Sequence, residues 1–90
     1  MDFNNFQSIA KVLVSEYHNK FLSEEHGTLE PKDIYVVWYC KTLGNAKALL
    51  STPTSDGMYY EVTYNGDKDD IYFDAYKKQA NITFKGSDFE

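Results

Sequence analysis

The sequence contains no arginine: its nine basic residues are all lysines, against fourteen aspartates and glutamates, which gives a formal net charge of −5. Arginine supplies the two-pronged donor that reads guanine edges and phosphates, so direct binding of DNA or RNA is not expected. The chain has only one cysteine, Cys40, which excludes an internal disulfide and fits a reducing compartment. No apolar run is long enough for a membrane span, and the N-terminal stretch does not resemble a signal peptide.

Catalytic motifs are also missing from the sequence. It has no glycine-rich phosphate loop, no serine-centred elbow and no CxxC pair. His18 and His26 lie eight residues apart, too far for a metal pair on one helix face, and are expected at the surface. Cys40 falls on the apolar side of a predicted strand, which favours a buried structural thiol over a nucleophile. We therefore expect a protein that is not an enzyme and that uses no cofactor and no metal ligand.

The N-terminal quarter of the chain has the apolar spacing of an amphipathic helix. Its apolar positions follow the three-to-four-residue period that places side chains on one face: Phe6, Ile9, Ala10, Leu13, Tyr17 and Phe21. Gly27 is the expected end of this helix, because glycine readily takes the left-handed conformation that closes helices. A helix of about twenty residues is roughly 30 Å long and can lie across a small sheet.

After Pro31 the sequence changes to β-branched and aromatic residues, which favour strands. Four segments are predicted as strands, "DIYVVWYCKT", "NAKALLST", "GMYYEVTY" and "DIYFDAYKK", and "NITFK" is an open alternative as a fifth. The turns between them are too short for parallel crossovers, so the sheet is expected to be an antiparallel meander. The predicted fold is α+β: one N-terminal helix packed on a four- or five-stranded antiparallel sheet. Residues 1–85 form the predicted single domain, and residues 86–90 a frayed tail.

Strand alternation divides the predicted sheet into two faces. The apolar set is expected to meet the helix and comprises Ile34, Val36, Trp38, Cys40, Met58, Tyr60, Val62, Tyr64, Ile71, Phe73, Ala75, Ile82 and Phe84. Trp38 is predicted as the most important core residue. A single helix covers one face only, so tyrosines of the opposite set are expected to stand in solvent: Tyr35, Tyr39, Tyr59, Tyr72 and Tyr76. Tyrosine is a good strand former that tolerates partial exposure, but it is also enriched in protein interfaces. These five residues are the predicted partner-binding site.

The stretch "TYNGDKDDIYF" combines an Asn-Gly pair with several aspartates. Counted from Asp67 as a helix-loop-helix calcium loop, the fifth, sixth and twelfth positions are Ile71, Tyr72 and Lys78, where a ligand, glycine and glutamate are required. The flanking strands and the Asn65-Gly66 dipeptide, which supplies positive φ in tight turns, instead indicate a hairpin turn. A carboxylate site for a small ligand or divalent metal within residues 67–74 stays open as an alternative.

The blocks "VVWYCKTL", "KALLST" and "DGMYYEVTYNGDK" resemble a family of small uncharacterised proteins encoded by phages and prophages of Gram-positive bacteria. The resemblance covers roughly residues 35–78 and says little about the N-terminal helix or the tail. The family has no established activity, so the resemblance transfers no catalytic residue. It implies a small accessory protein in the cytoplasm of the bacterial host.

Three functional hypotheses follow from the residues and the resemblance. The first is a phage accessory protein that binds another protein, of host or phage, or a second copy of itself, and that redirects or inhibits a host factor. The second is binding of a small ligand or divalent metal by residues 67–74. The third is mimicry of nucleic acid by carboxylates, because acidic residues from Asp56 onward outnumber lysines eight to four. Neither direct nucleic-acid binding nor membrane binding is expected.

Overall fold

Helix α1 (Phe6–Phe21) begins the fold in the computed structural model, which describes residues 5–90. Three of its apolar side chains, those of Phe6, Ala10 and Val14, are fully buried at a spacing of four residues. The helix ends earlier than predicted, since Leu22 leaves helical geometry and a four-residue helix, α2 (Ser23–His26), follows. Gly27 closes α2 with a φ of 74°. The helical region therefore ends at Gly27 as predicted, although Leu22 interrupts it.

Four antiparallel strands follow in the order of the sequence: β1 (Tyr35–Thr42), β2 (Asn45–Ser51), β3 (Met58–Asn65) and β4 (Asp70–Lys77). Each strand pairs with the next, so β1 and β4 are the two edges of an open sheet. The predicted α+β architecture is confirmed. Residues 81–85, the alternative fifth strand, do not join the sheet, and a 3₁₀ turn spans Gly86–Phe89. Residues 1–4 of the predicted domain lie outside the described part of the chain.

The core lies between α1 and the two central strands. Small residues on β2, Ala46 and Ala48, are buried opposite larger ones on β3 and let the helix approach the sheet closely. Burial of apolar surface at this interface is the main term that holds the helix on the sheet. The buried apolar residues of the described chain are Phe6, Ala10, Val14, Ile34, Ala46, Ala48, Leu50, Tyr60, Val62 and Tyr64.

A β-bulge in β1 reverses the predicted alternation. Val36 pairs with Leu50, but the next paired residue is Trp38, opposite Leu49, so the register steps over Val37. Cross-strand partners share a face, and one extra residue moves every later side chain to the other side. The prediction that Trp38 faces the helix is therefore wrong: it is 43% exposed on the other face.

The same bulge moves the two residues after Trp38. Tyr39 lies opposite the buried Ala48, and its ring centroid is 5.9 Å from that of Phe6. Tyr39 was predicted on the uncovered face and is instead partly buried against the core. Cys40 pairs with Lys47 and is exposed, so the prediction of a buried thiol is also wrong.

The acidic stretch forms the predicted hairpin turn between β3 and β4, because Asn65 pairs with Asp70. The positive φ lies at Asp69, at 55°, and not in the Asn65-Gly66 dipeptide as predicted. The Asn65 side chain closes the turn, since its Oδ1 accepts the N–H groups of Asp67 (3.0 Å) and Lys68 (3.3 Å). Asn65 therefore stabilises the turn through its side-chain oxygen. Gly66 is not needed here for a positive φ.

Candidate functional site: the open face of the sheet

The sheet face opposite α1 carries the exposed aromatic residues. The register places Tyr59 opposite Tyr76 and Thr63 opposite Tyr72 on the β3–β4 side. On the β1–β2 side, Trp38 lies opposite Leu49. We call this surface the open face; its aromatic residues are Tyr35, Trp38, Tyr59, Tyr72 and Tyr76.

Four of the five tyrosines predicted as partner-binding lie on the open face, and Tyr39 does not. Tyr35, Tyr72 and Tyr76 are 50%, 43% and 51% exposed, so about half of each side chain is available for contact. Trp38, which alternation assigned to the core, takes the place of Tyr39. Large aromatic groups half-exposed on one side of a sheet are the side chains that most often anchor protein interfaces.

Charged groups occupy the middle of the open face. The Lys47 Nζ lies 3.2 Å from the Glu61 Oε1, an ion pair between β2 and β3. Glu61 also lies directly opposite Asp74 of β4. Two carboxylates in opposed positions repel each other, and one lysine compensates them only in part. The open face is therefore aromatic toward its ends and acidic at its centre, which suits a partner that presents a basic side chain among apolar ones.

Two shallow hollows open on this side of the sheet. One of about 270 Å³ lies beside Trp38 and the exposed Cys40 and extends to Lys47 and Thr63. The other, of about 280 Å³, lies between Tyr35 and Tyr59 and is lined by hydroxyl groups that include Thr52 and Thr54. Concave pockets beside aromatic rings can receive single side chains of a bound protein.

A buried polar cluster lies on the helix side, where sequence reasoning expected none. His18 is fully buried, which contradicts its predicted surface position; its Nε2 donates to the Gly27 carbonyl oxygen at 2.8 Å. Its Nδ1 lies 3.8 Å from the Asp56 Oδ2. Asp56 in turn accepts the Thr54 hydroxyl (2.8 Å) and the Met58 N–H (3.0 Å). The cluster ties the end of α1 to the loop between β2 and β3.

The sequence does hold a signal for the burial of His18. It lies four residues after Val14 and continues the buried stripe of Phe6, Ala10 and Val14. His26, by contrast, keeps 23% of its side-chain surface exposed beside Glu25. Both histidines were predicted at the surface because their spacing of eight residues offers no metal pair on one helix face, although only His18 falls on the stripe.

Tyr60 lies at the centre of the core, and its hydroxyl makes no hydrogen bond to residues 5–90. Burial, with the nearby Asp56 carboxylate and Tyr17 adding to it, raises the pKa of Tyr60 to about 12. A buried phenol resists ionisation because its anion would lose solvation without gaining a partner.

This shift predicts a loss of stability in alkali. In the unfolded chain Tyr60 ionises near its ordinary pKa of 10, whereas the folded protein holds the proton to about 12. The stabilisation is therefore complete below pH 10 and lost as the pH rises to 12, by about 3 kcal/mol. The measurement is the urea midpoint against pH for wild type and Tyr60→Phe. The urea midpoint of Tyr60→Phe should equal or exceed that of wild type at pH 7, and it should fall less steeply above pH 10. Parallel midpoint curves for the two proteins would contradict the raised pKa of Tyr60.

One aspartate of the β3–β4 turn, Asp69, is engaged within the protein. Asp69 accepts the Tyr64 hydroxyl at 2.7 Å, and this hydrogen bond holds the pKa of the Asp69 carboxyl below its usual range.

Within residues 5–90, no three His, Cys, Asp or Glu side chains come together as a metal site. None of the described helices is long and apolar enough to cross a membrane.

Comparison with known families adds a classification. The model of a family of unknown function, DUF6275, matches residues 7–86. The chain belongs to the DUF6275 family. No curated protein and no solved structure matches it significantly. The matched range of this DUF6275 protein includes α1 except its first residue and all four strands, and therefore the whole open face.

Proposed function

We propose that this DUF6275 protein is a non-enzymatic accessory protein of a phage or prophage, which acts in the cytoplasm of the bacterial host by binding another protein through the open face. The partner is a host or phage protein that the bound accessory protein redirects or inhibits. The single observation that carries the proposal is the set of half-exposed rings of Tyr35, Trp38, Tyr72 and Tyr76 on one side of the sheet.

The shape of the protein supports this proposal. Its Cα atoms extend 45 by 39 Å but only 19 Å in thickness, which is about one helix layer on one sheet layer. The described chain thus presents a broad surface without a third layer above it. A monomer rarely exposes a large aromatic surface unless that surface contacts something.

The charges of the open face indicate the chemistry of the partner. Glu61 and Asp74 oppose each other at its centre, with Lys47 bound to only one of them. A lysine or arginine of the partner, placed between the two carboxylates, would relieve their repulsion and fix the orientation of the complex. The proposed partner surface is therefore apolar with a basic residue near its middle.

Replacing Tyr59 and Tyr76 together with serine should abolish this binding. These residues form a cross-strand pair, and each aromatic ring that anchors an interface commonly costs about 2 kcal/mol when it is lost, or roughly 30-fold in affinity. The measurement is affinity capture from phage-infected or lysogenic host cells, followed by titration of the purified partner against wild type and variant.

The matched control replaces two exposed apolar residues away from the open face, Phe21 and Leu43, with serine. Both double variants should keep the circular dichroism of the wild type, and only the open-face variant should lose the partner. Equal affinity of both double variants for the captured protein would contradict the proposal.

A further variant, Asp74→Lys, should weaken binding more at low salt than at high salt, because the proposed partner presents a positive charge at this position.

A further inference from the structure

The outer edge of β4 is a long strand edge that the described chain leaves uncovered. β4 runs for eight residues, Asp70–Lys77, in continuous register with β3 and without a bulge or proline. A regular edge presents a row of N–H and C=O groups that can template another strand. The other edge of the sheet is different, because the bulge at Val37 interrupts β1. Of the two edges, β4 is the better template.

The chain that follows β4 does not turn back over this edge. The Lys78 N–H donates to the Gly57 carbonyl oxygen at 2.7 Å, which extends the pairing of β4 along β3 for one more residue. The residues beyond it are exposed throughout, including Ile82 and Phe84 at 69% and 71%. A second chain can therefore reach the edge.

The sequence of β4 is self-complementary in charge. Its first residue is Asp70, which follows the acidic turn, and its end carries Lys77 and Lys78. Two copies paired antiparallel bring the acidic end of each strand to the basic end of the other. Parallel pairing would instead place like charges together, which is unfavourable.

Charge and the length of strand overlap together select one register of such an antiparallel pair. Opposed residues must share a face, so the two-fold axis lies midway between the two strands, level with one residue of β4. An axis at Asp74 places two Asp74 side chains opposite each other, and an axis at Tyr72 places Asp70 opposite Asp74. An axis at Phe73 avoids both clashes and pairs residues 70–76 of the two copies. Axes at Ile71 and Ala75 avoid the clashes too, but they leave more of β4 unpaired.

With the axis at Phe73, each pair is compatible on both faces. Ile71 meets Ala75 of the second copy on the helix side, where Ile71 is 38% exposed. On the open face, Tyr72 meets Asp74 of the second copy, and Asp70 meets Tyr76 with Lys78 diagonally beyond it. Diagonal neighbours are within reach of a long lysine side chain.

We propose that β4 pairs antiparallel with β4 of a second copy, about a two-fold axis at Phe73, to form a continuous eight-stranded sheet. The axis is perpendicular to the sheet, so both helices lie on one side and both open faces on the other. The dimer doubles the open face without covering it. This inference rests on the edge of β4 and does not depend on the proposed function.

Cysteine cross-linking tests both the dimer and its register. In a Cys40→Ser background, the double variant Ile71→Cys, Ala75→Cys should form a covalent dimer under mild oxidation, because the two positions face each other across the axis. Within one chain they are four residues apart on a strand, about 13 Å, which is too far for a disulfide. Each single variant is the matched control and should stay monomeric on a non-reducing gel, since its cysteine meets no cysteine.

The wild-type mass completes the test. At high micromolar concentration, sedimentation should give twice the 10.4 kDa of one chain. A dimeric mass together with cross-linking of the double variant alone supports the proposal. A monomeric mass without cross-linking, a dimeric mass without cross-linking, or cross-linking by either single variant overturns it.

Discussion

Replacing Gly66 with alanine should lower the free energy of unfolding by about 3 kcal/mol, a large share of what a domain of this size has. A Cβ at this position would lie 3.0 Å from the carbonyl carbon of Gly44 and closer still to its oxygen. Both groups are backbone in adjacent turns, so neither can move aside as a flexible side chain would. The Gly66 N–H also donates to the Asn45 Oδ1 at 2.9 Å and holds the two turns together.

Two other glycines separate this steric effect from a conformational one. Gly44 has a φ of 81° but open space around its Cα, so Gly44→Ala should cost about 1 kcal/mol for the left-handed backbone. Gly86 has neither a positive φ nor a close neighbour, so Gly86→Ala should leave the urea midpoint unchanged. A midpoint for Gly66→Ala equal to that for Gly86→Ala would contradict the close packing of the two turns.

The glycine in Asn65-Gly66 shows how a correct element can be predicted for a partly wrong reason. The dipeptide indicated a hairpin, and the hairpin forms, but the required conformational freedom lies at Asp69. Gly66 is needed because another turn approaches it, and that approach is a tertiary contact between residues 22 positions apart. Local turn chemistry contains no information about such a contact.

The open face was predictable wherever the strands are regular. Alternation placed Tyr59, Tyr72 and Tyr76 correctly because β3 and β4 pair without interruption. It failed for Trp38 and Tyr39 because "VVW" contains no glycine or proline to mark the bulge between Val36 and Trp38. A bulge shifts the whole remaining strand by one residue. This one bulge therefore places Trp38 on the open face and Tyr39 against the core, the reverse of the prediction.

The burial of His18 required knowledge of its partners. Helical spacing from Val14 pointed to the core, but a histidine is accepted there only where polar groups receive it. Its Nε2 donates to the Gly27 carbonyl, and its Nδ1, which makes no hydrogen bond to residues 5–90, lies 3.8 Å from the Asp56 carboxylate. The groups that receive it, the Gly27 carbonyl and Asp56, come from two separate loops. Their convergence depends on how α1 lies across the sheet, which the sequence pattern does not specify.

Truncation of Tyr60 to alanine should be the most destabilising single change in the core, at about 4 kcal/mol. Tyr60 is the largest of the fully buried side chains. Its ring centroid lies 5.6 Å from that of Tyr17 on α1 and 5.7 Å from that of Phe73 on β4. The ring therefore joins the helix to an edge strand, and its loss would leave a cavity between them that the rigid sheet cannot close.

Three further variants make this prediction specific to the ring of Tyr60. Tyr60→Phe keeps the ring and should be neutral or slightly stabilising at pH 7, because the lost hydroxyl is buried without a hydrogen bond to residues 5–90. Trp38→Ala should cost less than about 1 kcal/mol, and Tyr39→Ala about 2 kcal/mol, since Tyr39 packs against Phe6 and Trp38 stands on the open face. Urea denaturation followed by circular dichroism ranks the four variants. A larger loss for Trp38→Ala than for Tyr39→Ala would mean that β1 continues without its bulge, and the assignment of Trp38 to the open face would then be wrong.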